Sequence, residues 1–295
     1  MHFYFSGAIK SEIIEREIIS RNGHRLFSFV NKESIKKYLK IAEGKHVNIM
    51  LDSGAFSAWN AGKVIRRDEL LRFALSLADK DISLVMINLD KIPGEKGKDP
   101  TPDEINEAMD VSQINYEFFK ERLPFPVLPV FHQGEPYSYL HTMRGIDYVC
   151  LSPRNDVHEA ARWKWAQQAR RELGNEKTHG LATTGMKMMT AIDWYSVDSA
   201  TWVHVAAFGQ IIINSPTRFY KIPVSTEHKN TVERRDHIQH LSISDEVRSM
   251  IESRGFSVEN LGTSVQARSH WNVLSFIEYY EDMHEQPPHN QQGLF

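Results

Sequence analysis

Short apolar runs alternate with longer amphipathic stretches over the first two thirds of the chain. The runs at 3–6 (FYFS), 25–30, 46–51 (HVNIML), 83–89 (SLVMINL), 126–131 (PVLPVF), 147–151 (DYVCL), 178–182 (THGLA) and 195–198 (YSVD) read as strands. Several are apolar at both parities, as strands buried on both faces of a parallel sheet should be. Helical spacing fills the intervals at 10–19, 33–42, 67–80, 102–122, 135–144, 156–173 and 185–193. The 102–122 stretch opens on "TPDE", which supplies a cap residue, a proline at the first helical position and early acids. Eight strands alternating with helices predict parallel βαβ units and an α/β fold. That count suits a closed (β/α)8 TIM barrel, with a doubly wound sheet as the competing arrangement.

Beyond residue 198 the alternation stops. Residues 199–241 read as an insertion, with an apolar run at Ile211, Ile212 and Ile213 and the mixed-charge tract "TEHKNTVERRDHIQH". Two helices are expected to follow, at 242–254 and 267–283, the second as a closing helix displaced along the sequence. The expected organisation is one barrel domain over 1–283 that includes the insertion, and a disordered tail over 284–295.

Composition narrows the class without naming a chemistry. The 295 residues are 41% hydrophobic and 25% charged with a formal net charge of −3, which is ordinary globular composition. A chain that is not globally basic must hold any nucleic acid through a local patch. Its one cysteine, Cys150, excludes an intramolecular disulfide and a multi-thiolate zinc site. No secretory pattern opens the chain and no window holds about 18 uninterrupted apolar residues, so a cytoplasmic location and no membrane partner are expected.

The chemistry is concentrated where strands end. "NIMLD" ends on Asp52, "MINLD" on Asp90 and "YSVD" on Asp198, while "VFHQG" places His132 and Gln133 at a fourth strand end. Parallel-strand folds build their sites at these carboxyl ends. For any single aspartate, capping a helix or closing an Asx turn is the commoner role, and Asp198 before "SATW" suits capping best. Three on one rim favour a shared site.

In "DSGAFS" at 52–57 the chain resembles the DSGG(F/Y)Q segment of the tRNA-guanine transglycosylase family. These enzymes exchange bases in queuosine and archaeosine synthesis. "NLD" is similar to the family's strand-four aspartate segment, matching Asp90, and "PVFHQG" to its strand-five V-Q-G segment, matching Gln133. "HGLATTG" resembles the strand-seven segment that walls the base pocket, matching Gly180, and "SVDSATW" the strand-eight segment with the nucleophile, matching Asp198. The likeness spans roughly residues 45–200. Two positions depart from it: Ala55 replaces the second glycine, and Ser57 the usual glutamine.

The family's tRNA enzymes carry a three-Cys, one-His zinc site that this chain cannot build. His228, His237 and His240 occupy the corresponding region and are expected as solvated histidines, with no cofactor. The resemblance then points to the compact branch that installs 7-deazaguanines in DNA, found in phages and bacterial DNA-modification clusters.

The implied reaction replaces guanine by a 7-deazaguanine, such as 7-cyano-7-deazaguanine, through a covalent Asp–sugar intermediate. Two inversions at C1′ give the retaining logic of two carboxylates. The resemblance makes Asp198 the nucleophile, and Asp52 is the acid/base. Asp90 and Gln133 read the base, with Ser53, Phe56, Gly180 and Leu181 shaping its pocket. Arg218, Lys221, Lys229, Arg234 and Arg235 are phosphate-contact candidates, and Trp202 and Phe219 candidate supports for a flipped nucleotide. DNA is the favoured partner and tRNA the alternative, with a homodimer or helper protein open. A retaining glycosidase and an inactive nucleic-acid-binding homologue are competing functions. The first has no use for Asp90 and Gln133 as base readers; the second should lack a key acid.

Overall fold

The computed structural model describes residues 1–295 except 8–10, 96–97, 184, 186–187, 190–191, 215–218, 229–233, 235–236, 239–244 and 286–295; of residues 245 and 282–285 it describes the backbone alone. Where one domain over 1–283 is expected from the sequence, contacts group the chain into two compact units, Met1–Ala8 with Asn22–Ser199, and Ile9–Arg21 with Ala200–Phe295.

The first unit is an α/β TIM barrel. Its described strands are β1 (His2–Phe5), β2 (His24–Ser28), β3 (Val47–Asp52), β4 (Ile82–Ile87), β5 (Val127–Leu128), β6 (Val130–His132), β7 (Tyr148–Ser152), β8 (Lys177–Gly180) and β9 (Ser196–Ser199). They form one sheet in the order β5-β4-β3-β2-β1-β9-β8-β7-β6, with every pairing parallel. The two ends of that order are one stretch of chain. Pro129 lacks the N–H a ladder needs, so it divides β5 from β6. β5 pairs with β4 and β6 with β7, and the Cys150 N–H donates to the Pro129 carbonyl at 2.8 Å. The ring therefore closes with eight staves, matching the eight apolar runs.

Alternate residues of each stave point inward. Tyr4, Leu26, Met50, Ile87, Leu128, Val130, Tyr148 and Cys150 form one buried cluster. Filling the interior this way stabilises the barrel by about 1.5–3 kcal/mol for each large side chain. Helices α2 (Lys32–Ile41), α4 (Arg67–Ala78), α5 (Pro102–Lys120), α6 (Tyr137–Thr142) and α7 (Glu159–Leu173) overlap the stretches of helical spacing, as does α1 (Glu12–Ser20) of the second unit. At the start of α5 the Thr101 hydroxyl accepts the Glu104 N–H, and the Glu104 carboxylate accepts the Thr101 N–H.

In the second unit the run Ile211–Ile213 forms the middle of β10 (Gln210–Asn214), paired antiparallel with β11 (Phe219–Pro223). The long helix Val265–Glu285 satisfies the backbone of β10 with its own side chains. Asn272 Oδ1 accepts the Ile212 N–H at 2.7 Å, and Trp271 Nε1 donates to the Ile212 carbonyl at 2.7 Å. Trp202 is 0% exposed, and Phe219 packs between Phe276 and Tyr279. Full burial of Trp202 corrects its expected role as a support for a flipped nucleotide, while Phe219 is part-buried against those two rings. Among the described residues no helix is long and apolar enough to cross a membrane.

Candidate functional site

Strand parity builds the site. Met50 points into the barrel, so Asp52, two residues on, points into its mouth. The chain then turns through Gly54, whose φ of +82° is costly for any residue with a Cβ. A Cβ there would also lie 3.0 Å from both Ser28 Oγ and Val30 Cγ1. This tight turn aims the Gly54 N–H back at Asp52 and starts the short helix α3 (Ala55–Asn60), which the sequence pattern does not announce.

Asp52, Asp90 and Asp198 line one cavity of about 580 Å³, together with His132, Gln133, Phe56, Leu181 and Ala182. This is within the roughly 300–1,000 Å³ of small-molecule sites. Neither Asp52 nor Asp198 caps a helix: Gly54 is the N-cap of α3, and Ala200 is that of the helix Thr201–Ala207. Burial pushes Asp52 up to about 6, against the Gly54 N–H and the Ser28 hydroxyl, with the charges of Asp90 and Asp198 adding to the rise. Asp198 is held differently. Its Oδ1 accepts the Ala182 N–H at 2.8 Å and lies 3.4 Å from His179 Nε2. Ala182 takes the left-handed φ of 48°, a costly conformation for alanine that aims its N–H at the carboxylate.

The remaining polar groups form a second cluster. Asp90 Oδ2 sits 2.7 Å from His132 Nε2, and the His132 N–H donates to Glu135 Oε2 at 2.7 Å. Burial opposes charge on His132, but the hydrogen bond and charge of Asp90, with Glu135 beyond, outweigh it and raise the imidazole above its ordinary value. Burial in turn raises Glu135 to about 7. Gln133 Oε1 accepts the Arg154 N–H at 3.0 Å. That bond orients the amide and leaves its NH2 as the donor for a ligand. The Arg154 guanidinium is neutralised by Asp99 at 2.9 Å and Asp156 at 2.6 Å.

Phe56 is 51% exposed and stands beside Trp59, ring centroids 5.9 Å apart and planes 32° apart. It is an open apolar wall of the cavity, not a core aromatic. Leu181 lines the cavity as expected. Ser53 and Gly180 do not line it: each neighbours an inward residue and so takes the opposite parity. Ser53 is fully buried, and a Cβ on Gly180 would lie 2.5 Å from Thr183 Oγ1 and 3.2 Å from the Trp194 ring. Gly180 makes room for the chain that follows β8.

Among the basic candidates, Lys221 and Arg234 are exposed in the second unit. Arg218, Lys229 and Arg235 lie outside the described residues, as do His240 and the tail 286–295. The donor set does not fit the thiolate zinc site of the tRNA enzymes. The sole cysteine, Cys150, is fully buried inside the barrel, where burial and then the charges of Asp90, Asp198 and Asp52 push its thiol well above the ordinary range. His237 Nε2 is engaged with the Ser225 carbonyl at 3.1 Å. Among the described residues no group of three or more His, Cys, Asp or Glu is placed to hold a metal.

Sequence reasoning missed His179, Ser196 and Tyr148, which sit below the mouth. Parity was the signal: His179 and Ser196 precede the cavity residues Leu181 and Asp198 by two, and Tyr148 precedes Ser152 by four.

No family model matches the chain. No curated protein matches it either. Among solved structures it is similar to the Sulfolobus sulfataricus 2-keto-3-deoxygluconate aldolase in complex with D-KDPG, at 10% identity and a TM-score of 0.42, with 69% of each chain covered. A likeness that distant carries nothing about chemistry.

Proposed function

We propose that the chain is an enzyme, a base-exchange transglycosylase acting on a polynucleotide, with DNA favoured over tRNA. One observation carries the reading: two carboxylates share a cavity in unlike surroundings. Burial pushes Asp52 up to about 6, so it can carry a proton, whereas Asp198 has Oδ1 anchored by the Ala182 N–H and stands on the same cavity. Two carboxylates at one cavity, one of them able to carry a proton, are what retaining glycosyl transfer requires.

Asp198 Oδ2 attacks C1′ from below the sugar. The N9–C1′ bond breaks, its electron pair goes to guanine, and Asp52 supplies the proton. Then N9 of an incoming 7-deazaguanine attacks C1′, Asp52 takes its proton, and Asp198 leaves as carboxylate. Asp90 and the Gln133 amide offer an acceptor and a donor to the edge of the base, while Phe56 and Leu181 offer apolar faces. Duplex DNA would have to extrude the target nucleotide, at about a few kcal/mol. DNA is favoured because the sole cysteine is committed to the barrel interior, leaving no thiolate set for the zinc subdomain of the tRNA enzymes.

The test is incorporation of radiolabelled guanine into duplex DNA, single-stranded DNA and tRNA in parallel, with Asp52→Ala and Asp198→Ala as controls. Label entering DNA alone, and lost in both variants, is the expected result. Label entering tRNA would reverse the choice of polymer. No label anywhere would contradict the exchange reaction.

A further inference from the structure

Asp198 stands at the end of a buried polar chain. The Tyr148 hydroxyl is hydrogen-bonded to Ser196 Oγ, Ser196 Oγ lies 2.5 Å from His179 Nδ1, and His179 Nε2 lies 3.4 Å from Asp198 Oδ1. His179 and Ser196 are 0% exposed and Tyr148 is 7% exposed. The register explains the proximity: β7, β8 and β9 are neighbours in the ring, and Cys150 is paired with His179 and His179 with Ser196. No bulk water reaches the chain, so its hydrogens must be ordered by its own members.

Only one ordering uses every group. A tyrosine hydroxyl buried this way stays protonated and donates. Ser196 then accepts from Tyr148 and donates its own hydrogen to His179 Nδ1. With Nδ1 serving as acceptor, the ring hydrogen is on Nε2, facing Asp198. His179 Nε2 is buried with no hydrogen-bond partner in the resting structure, and Asp198 Oδ1 stands 3.4 Å from it. The same carboxylate oxygen already accepts the Ala182 N–H, so Oδ1 is the anchored oxygen and Oδ2 is the one left for a ligand in the cavity.

We propose that Tyr148, Ser196 and His179 are positioning residues that fix the Nε2–H tautomer of His179 and, through it, set Asp198 as a leaving group. This rests on the transglycosylase reading for its consequence, but not for its geometry. When the ester between Asp198 and C1′ breaks, the electron pair returns to the carboxylate, N9 of the incoming base bonds to C1′, and the N9 proton passes to Asp52. The Ala182 N–H bonded to Oδ1 and the unspent His179 Nε2–H 3.4 Å from it both stabilise the returning charge, so they favour breakdown of the intermediate over its formation. Outer groups that orient metal-ligating side chains are typically worth about 10–100-fold, and an effect at the lower end of that range is expected for a carboxylate oriented the same way.

The test has two readouts on the full chain. Nitrogen-15 NMR of histidine-labelled protein, with the His179 signals assigned by their loss in His179→Gln, should show the Nε2–H form, and Ser196→Ala should convert it to a mixture. In exchange assays Tyr148→Phe, which removes one oxygen and keeps the ring, and Ser196→Ala should slow turnover about tenfold. They should also raise the fraction of enzyme trapped as covalent adduct and leave KM for the base unchanged. An Nδ1–H or doubly protonated ring in the unmodified protein would overturn the ordering whatever the reaction is. Exchange by the unmodified protein with unaltered adduct levels in both variants would overturn the leaving-group role. If the unmodified protein exchanges no base, the transglycosylase reading falls and the tautomer result decides the hydrogen-bonded chain alone.

Discussion

The second unit and the barrel mouth both withdraw polar side chains from water, yet they treat them in opposite ways. In the second unit Arg268 is 3% exposed and donates to the carbonyls of Ala206, Leu261 and Gly262. Asn272 uses its oxygen on the Ile212 N–H and its nitrogen on the Trp202 and Gln210 carbonyls. Both side chains spend their hydrogen bonds on backbone, Asn272 tying the long helix to β10 and Arg268 tying it to the segments at 206 and 261–262. At the barrel mouth Asp198 anchors one oxygen, Asp90 binds one histidine nitrogen and Gln133 ties down only its oxygen. The remaining capacity faces a cavity. Buried polar groups that are fully partnered specify a fold, while half-partnered ones around a hollow await a ligand.

Removing a group from each region should therefore have different consequences. At the mouth, Asp198→Ala should abolish base exchange, by roughly 10⁴-fold or more as for other nucleophile deletions, while circular dichroism and the unfolding midpoint barely move. In the second unit, Arg268→Met should remove the three hydrogen bonds that the guanidinium gives to the carbonyls of Ala206, Leu261 and Gly262 and destabilise that unit by about 3–5 kcal/mol in urea titrations.

Asp52 sharpens the contrast because the mouth holds it against its own stability. The folded chain keeps the Asp52 proton to about pH 6, whereas the unfolded chain releases it near 3.8. Between those values the native state binds more protons, so stability falls as pH rises, by about 3 kcal/mol in all. Below pH 4 both states are protonated and the penalty vanishes. Asp52→Asn should thus be more stable than the unmodified protein at pH 8, equal to it near pH 3.5, and inactive in exchange. The smallest effect is expected for Gln133→Ala: binding of free guanine, followed by calorimetry, should weaken about tenfold, the worth of one hydrogen bond.

The barrel was legible because a parallel stave is apolar on both faces and bounded by turns, and the eight runs map onto the eight staves of the ring. Asp52, Asp90, Gln133 and Asp198 were legible for the same reason, since each follows an apolar run and the carboxyl ends of parallel strands converge. Ser53 and Gly180 went astray by a single residue, because neighbours along a strand face opposite ways. Helix α3 escaped notice: six residues begun by Gly54 are too few to establish a helical period. The hairpin of β10 and β11 read only as an insertion with an apolar run, because β11, FYKIP, carries tyrosine, lysine and proline among its five positions. The second unit joins residues 9–21 to the chain beyond 200, a grouping made by long-range contacts that no local pattern encodes.

The most direct test of the central claim is the identity of the nucleophile. Incubating the protein with guanine-containing DNA without an incoming base, then denaturing, digesting and mapping the adduct by mass spectrometry, should place one deoxyribosyl ester on Asp198 and none in Asp198→Ala. An adduct on another residue, or exchange that proceeds with inversion and no adduct at all, would contradict it.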